Sequence, residues 1–348
     1  MPTEKLVVCL GFPAFHDERF VERLRALPGV EPLILPIDEG GEWLTVEPQH
    51  PWPEPPPWAE SVAEERRAAL ARAHVLVALH APENLSERAP ELRWVQGIGA
   101  GMEQFAKCGV ETDRVVVTNA SGISSGSMAE WVVGRLLQVW KRFREADAYQ
   151  EEHQFVRTYG RTFAGSTIGI VGLGAIGCAV SQRVRAFGCR VVGMKRSAAP
   201  GASSEHADAL YRPEQLHEML GECDAVVVSA PATPETRHII DAKALAAMRP
   251  DAVLVNVARG SLVDEAALAQ AMAEKRIAAA VLDVFDQEPL PAESPLWDLP
   301  GVYVSAHSSV SVDRYMDDSF DLFYDNLERY LANEPLRNVL DAEAMGFG

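Results

Sequence analysis

Cysteine is scarce. Five occur in 348 residues, at Cys9, Cys108, Cys178, Cys189 and Cys223, and no two form a CxxC pair. An odd, scattered set reads as buried thiols in a reducing compartment, so neither a disulfide framework nor a metal site is expected. Positive charge is short as well: 32 lysines and arginines face 50 aspartates and glutamates, for a formal charge of −18. That surplus repels phosphate backbones and anionic lipid, which argues against nucleic-acid and membrane partners. No apolar run reaches the roughly 20 residues of a membrane span. The opening MPTEKLVVCLGFPAF lacks a signal-peptide cleavage pattern, and the expected location is the cytoplasm. What is present is globular. With 47% apolar and 24% charged residues the chain is neither disordered nor fibrous, and its length predicts two domains.

The first third alternates apolar runs at 5–10, 32–36, 74–78, 93–97 and 115–118 with helical spacing at 17–27 and 59–73. Strands apolar throughout and separated by helices predict a parallel sheet covered on both faces. The proline-rich stretch 48–57 reads as a surface loop, because proline lacks the backbone donor. A long helix is expected over 127–144, with Met128, Val132, Leu136, Trp140 and Phe143 on one face. Trp131 and Val139 widen its apolar surface beyond one core contact and suggest a dimer interface. A second α/β series follows: strands 167–171, 190–194, 224–229, 252–256 and 278–282, and helices 175–187 and 264–274. A closing helix over 312–332 aligns Met316, Phe320, Phe323, Leu327 and Tyr330.

GLGAIG at 172–177 follows the 167–171 strand and opens a helix, the context in which G-x-G-x-x-G binds a dinucleotide. Gly172 permits the tight turn and Gly174 lets the backbone approach a pyrophosphate. Gly177 lets helix pack on strand, while the helix start at Ala175 and Ile176 offers free N–H groups to the anion. An acid at the end of the next strand would select NAD by bonding the ribose 2′-OH. Here that position is Lys195, followed by Arg196 and Ser197. Two cations and a hydroxyl suit a 2′-phosphate, so NADP is expected, with NAD as the alternative.

Three further segments place functional groups after apolar strands: NVARGSLVDE from Asn256, LDVFDQEPLP from Leu282 and SAHSS from Ser305. With the glycine loop, GIGAGM from Gly97, SAPATPET from Ser229 and the ending NLERYL…PLRNV, the chain resembles the D-isomer-specific 2-hydroxyacid dehydrogenases over nearly its whole length. The resemblance implies an α/β protein of two Rossmann-like domains with parallel sheets. A cofactor domain, 119–309, is inserted into a discontinuous substrate domain, 1–118 plus 310–348. It implies reduction of a small 2-oxo acid by NAD(P)H, glyoxylate or hydroxypyruvate being the first guesses, in a homodimer.

Residue by residue, the resemblance makes His307 the general acid/base, Glu288 the carboxylate that orients it, and Arg259 the cation that grips the substrate. These are types suited to the duties, since histidine titrates near neutrality and a guanidinium is a planar fork. Asp283 falls near the nicotinamide carboxamide. Ala230, Pro231, Thr236 and Ala258 line the cofactor, and the backbone at Ala100 and Gly101 receives the substrate carboxylate beside Arg259 and His307. Two departures bear on the pocket: Ser308 and Ser309 follow the histidine where Ile-Gly is common, and Glu103 stands where aspartate is usual. Glu288 in place of glutamine argues against the formate dehydrogenase branch. The chain ends soon after its closing helix, so no appended regulatory domain is expected. A dinucleotide-sensing regulator on the same fold is the alternative, although it need not keep acid, partner and arginine together.

Overall fold

The computed structural model describes residues 5–35, 64–101, 105, 108–199 and 202–340. It divides into two compact units, Met1–Ile123 with Val312–Gly348, and Ser124–Ser311. The proline-rich stretch 48–57 and Glu103 lie outside the described residues.

The first unit holds five strands: β1 (Leu6–Leu10), β2 (Val30–Ile34), β3 (Val75–Ala78), β4 (Trp94–Gly97) and β5 (Val116–Thr118). They pair in parallel in the order β2-β1-β3-β4-β5. Every residue of β3 and β4 is buried, as a sheet covered on both faces requires. One face packs on Phe15, Phe20, Phe320, Phe323 and Leu327. The other packs on Leu70, Leu85, Leu92 and Phe105. Phe320 and Phe323 come from the helix Tyr315–Leu331, and the rings of Phe15 and Phe320 meet edge-on with centroids 5.4 Å apart. A polar chain crosses this core without an orphan. Trp94 Nε1 donates to Thr118 Oγ1 (2.7 Å), which donates to Gln96 Oε1 (2.8 Å), and Asn326 Nδ2 donates to the same oxygen (3.2 Å).

The second unit holds seven strands: β6 (Thr167–Val171), β7 (Arg190–Met194), β8 (Ala209–Tyr211), β9 (Ala225–Val228), β10 (Val253–Asn256), β11 (Ala279–Leu282) and β12 (Val302–Val304). All pair in parallel, in the order β12-β11-β10-β9-β6-β7-β8. The chain leaves β6 toward one edge and returns at β9 on the other side. Neighbouring connections therefore diverge at the carboxyl ends of β6 and β9, the place where open α/β sheets bind ligands.

The anticipated 127–144 helix is two helices. Ser125–Trp140 ends early, Arg142 is left-handed at φ 58°, and Phe143–Glu151 restarts with Phe143 exposed rather than on the buried face. The cause is a crossing segment: Arg161 N–H donates to Trp140 O (2.8 Å), taking the carbonyl that a continuing helix would need. Gly160 makes the approach possible, since a Cβ there would stand 2.3 Å from that oxygen. Elsewhere β6 and β7 match expectation and the other element ends fall within three residues of it, β2 beginning at Val30 and the last helix at Tyr315; the start of the expected 59–73 helix lies outside the described residues. β8, β12 and the short helices Leu85–Arg88, Leu216–Glu222 and Ala242–Ala247 were not among the expected elements.

Candidate active site

The β6 turn is shaped by what its glycines leave out. Gly172 sits at φ 102°, and a Cβ there would stand 2.6 Å from the Ala230 backbone. A Cβ on Gly177 would meet Gly172 O at 2.3 Å and Ile170 at 2.9 Å, so helix Ala175–Ala186 could not lie as close to β6. Gly174 differs: a Cβ there meets nothing within 4 Å, and Gly174 and Ala175 are exposed. The opening above the helix start is the space a pyrophosphate needs, and no side chain caps the helix N–H groups. Ser229 Oγ donates to Gly172 O (2.8 Å) and ties the β9 end to this turn. Thr236 Oγ1 donates to Pro231 O (2.7 Å) and accepts from Thr233 N–H (2.8 Å), which sets the loop beyond Ala230.

Lys195, Arg196 and Ser197 follow β7, all exposed. Burial pushes the Cys178 thiol, in the first turn of the glycine-loop helix, up, and the Lys195 charge opposes that rise. Glu235, beyond β9, is held below the ordinary glutamate value by the Thr233 hydroxyl, its own N–H and the charge of Arg196. Four cysteines are buried and Cys178 is half-buried; none is in a disulfide.

Arg259, Glu288 and His307 follow β10, β11 and β12 in the same unit. His307 Nδ1 lies 2.8 Å from Glu288 Oε2. A carboxylate only accepts, so Nδ1 carries the hydrogen and Nε2 is left to exchange a proton. Burial acts most strongly on Glu288 and would raise it. The His307 hydrogen bond, the Phe285 N–H on Oε1 (3.0 Å) and the charges of His307 and Arg259 together hold it below the ordinary value. Glu288 is thus ionised at neutral pH. Arg259 is half-buried and donates from Nη1 to Ala258 O (2.8 Å), while Asn256 Nδ2 holds the Arg259 carbonyl (2.9 Å).

His307 itself is left-handed at φ 47°, a conformation costly outside glycine and asparagine. Asp283, fully buried, holds it there. The Asp283 carbonyl accepts from His307 N–H (2.8 Å). Its carboxylate accepts from Ser305 Oγ (2.6 Å) and from the N–H groups of Ser308 and Ser309 (2.9 Å each). Both Asp283 oxygens are therefore engaged by the histidine turn. Spacing also missed Glu265, whose Oε1 accepts from Asp286 N–H (2.6 Å) and steadies the turn carrying Glu288. Burial first, then the charges of Asp286 and Glu288, push that carboxyl above its usual value, outweighing the Asp286 bond.

Ala100 and Gly101 belong to the first unit, after β4. Asn119 Nδ2 donates to Ala100 O (2.6 Å), Ala120 N–H to Gly99 O (2.9 Å) and Tyr315 Oη to Ile98 O (2.6 Å). With its carbonyls so tied, the Ala100–Gly101 backbone is held as a formed loop. Among the described residues no group of histidine, cysteine and carboxylate is arranged to hold a metal, and no helix is long and apolar enough to cross a membrane.

An α/β unit with a glycine loop at its switch point, and a histidine–carboxylate pair beside an arginine on neighbouring strand ends, defines a dinucleotide-binding protein equipped for proton transfer. The family described as D-isomer specific 2-hydroxyacid dehydrogenase, NAD binding domain, matches residues 133–309, and the chain belongs to it. It is 38% identical over 231 residues to a D-3-phosphoglycerate dehydrogenase of Mycobacterium tuberculosis, covering 66% of this chain and 43% of that one. It is 36% identical over 230 residues to a glyoxylate reductase of Thermococcus gammatolerans, covering 64% of this chain and 68% of that one. The chain therefore spans less than half the length of the phosphoglycerate dehydrogenases it matches. In structure it is similar to an NADPH-dependent glyoxylate/hydroxypyruvate reductase of Sinorhizobium meliloti in complex with NADP and sulfate. The TM-score is 0.76 at 26% identity, over 99% of this chain and 100% of that one.

Proposed function

We propose that this protein is an NADPH-dependent reductase of small 2-oxo acids, yielding D-2-hydroxy acids, with glyoxylate and hydroxypyruvate as first substrates. The observation that carries the reading is the 2.8 Å His307–Glu288 pair on the strand ends that also present Arg259 and the glycine loop. A sensor of dinucleotides has no use for an imidazole held through Nδ1 by an ionised carboxylate.

The residues that fit the cofactor are Gly172, Gly174, Ala175, Ile176 and Gly177 for the pyrophosphate, and Lys195, Arg196 and Ser197 for a 2′-phosphate. Ala230, Pro231, Thr236, Ala258 and Asp283 lie around it. When bound, NADPH supplies the hydride. Arg259 pairs with the substrate carboxylate and carbonyl. His307 gives the proton from Nε2 to the carbonyl oxygen, and Glu288 stabilises the charged ring until it does. The hydroxy acid formed is neutral at the reacting carbon, and His307 is left neutral, ready to take a proton from water.

Two coarser features complete the reading. A homodimer is supported by Phe155, fully exposed, and Tyr159, 75% exposed, on the segment after the Phe143–Glu151 helix. It is also supported by a groove of about 430 Å³ lined by Val139, Arg144, Trp297 and Tyr303 at the opposite ends of the strands from the glycine loop. A cytoplasmic location is supported by the five free thiols.

Oxidation of NADPH and of NADH, each with a panel of 2-oxo acids, tests the function. NADPH should give the higher kcat/KM with glyoxylate or hydroxypyruvate. Turnover of no 2-oxo acid, despite tight dinucleotide binding, would return the protein to the regulatory reading.

A further inference from the structure

We infer that Arg212 is a third cation of the dinucleotide site and reads the 2′-phosphate of NADP, an assignment that rests on the NADP reading above. Nothing in the local sequence marks it, since Arg212 lies fifteen residues beyond Ser197. The short strand β8 brings it in. Met194 and Tyr211 are paired in register at the ends of β7 and β8, and Lys195 N–H donates to Tyr211 O (3.0 Å). Lys195 and Arg212 are therefore the next residues out at one edge of the sheet.

The turn after β7 closes on itself, Ala198 N–H donating to Lys195 O (3.1 Å). Arg212 Nε donates to Ala198 O (2.7 Å), which lays the guanidinium against that turn. This bond uses one edge of the fork and leaves Nη1 and Nη2 without a partner among the described residues. Arg196, by contrast, already has the Glu235 carboxylate within charge reach. Lys195, Arg196, Ser197 and Arg212 are all exposed, so an incoming phosphate meets them without displacing a core group.

A phosphate monoester carries close to two charges near neutral pH and accepts several hydrogen bonds. Lysine offers it a point charge. A guanidinium already fixed at Nε offers two coplanar donors and loses less side-chain freedom on binding. The rival role for Arg212 is to brace the turn through Ala198 alone. The two roles differ in one respect: bracing serves any adenine nucleotide, whereas phosphate recognition serves only those with the 2′ group.

Calorimetric titration of the full chain with 2′,5′-ADP and with 5′-AMP separates them. The unmodified protein should bind 2′,5′-ADP more tightly. Arg212→Gln, whose amide can still donate to Ala198, should weaken 2′,5′-ADP by about tenfold or more, the worth of a charge-assisted hydrogen bond, while 5′-AMP stays within about twofold. Arg212→Lys should recover part of the loss. Equal weakening of both ligands, or of neither, would overturn the assignment to Arg212 and leave the NADP reading standing. No preference for 2′,5′-ADP in the unmodified protein would overturn both.

Discussion

At the residue scale, the 2.8 Å contact between His307 and Glu288 makes the sharpest claims. His307→Ala should lower the reduction rate by about 10²–10⁴-fold, the worth of a positioned proton donor, with NADPH affinity nearly unchanged. A rate within a few fold of the unmodified enzyme would remove His307 as the donor. Glu288 is held below its ordinary value, so it carries its charge throughout the neutral range. Glu288→Gln removes the carboxylate that holds Nδ1 and should lower the reduction rate while leaving NADPH affinity nearly unchanged. Arg259→Ala should instead raise KM and lower kcat together, because the same fork serves ground and transition states. These three residues were legible in the sequence because each is a chemically committed type in a recognisable segment. For Asp283 the resemblance implied only a place near the cofactor. That its oxygens hold Ser305, Ser308 and Ser309 depends on a turn some 25 residues away. Glu265 and Arg212 escaped for the same reason, their partners being distant in the chain or on an unanticipated strand.

Elements were read best where one period ran unbroken. The strands β3, β4, β9, β10 and β11 are buried at every position, and apolar runs announce them. β8 and β12 are three residues each at opposite edges of their sheet, and pairing with β7 and β11 makes them strands. The break at Arg142 was equally hidden, since the cause is Arg161 and Gly160 arriving from outside the helix. Gly160→Val should therefore lower the melting temperature, by driving the crossing segment off Trp140, without touching the glycine loop. In the first unit the Tyr315–Leu331 helix supplies Phe320, fully buried among Phe15, Phe20 and Phe323. Phe320→Ala should cost about 3–5 kcal/mol, the usual range for an aromatic truncated in a core. The check is the denaturant midpoint of the unfolding transition, reported by fluorescence of Trp94.

For the whole molecule, the proposed dimer predicts twice the chain mass in sedimentation at micromolar concentration. Val139→Glu in the lined groove should yield monomers, and a monomeric mass for the unmodified protein would end that proposal. A separate consequence follows from the discontinuous first unit, whose core joins Phe15 and Phe20 to Phe320, Phe323 and Leu327. On the ribosome, strands β1 to β5 emerge first yet cannot complete one face until residues 315–331 have been made. The Ser124–Ser311 unit, continuous in sequence, can close while they wait, so synthesis order and folding order are inverted. For that interval the part of the face that Phe320, Phe323 and Leu327 cover stays open. A chain stopped after Ser311 should freeze this stage. Brief proteolysis ought to degrade residues 5–123 and spare 124–311, whereas equal survival of both would show that the first unit folds without its last helix.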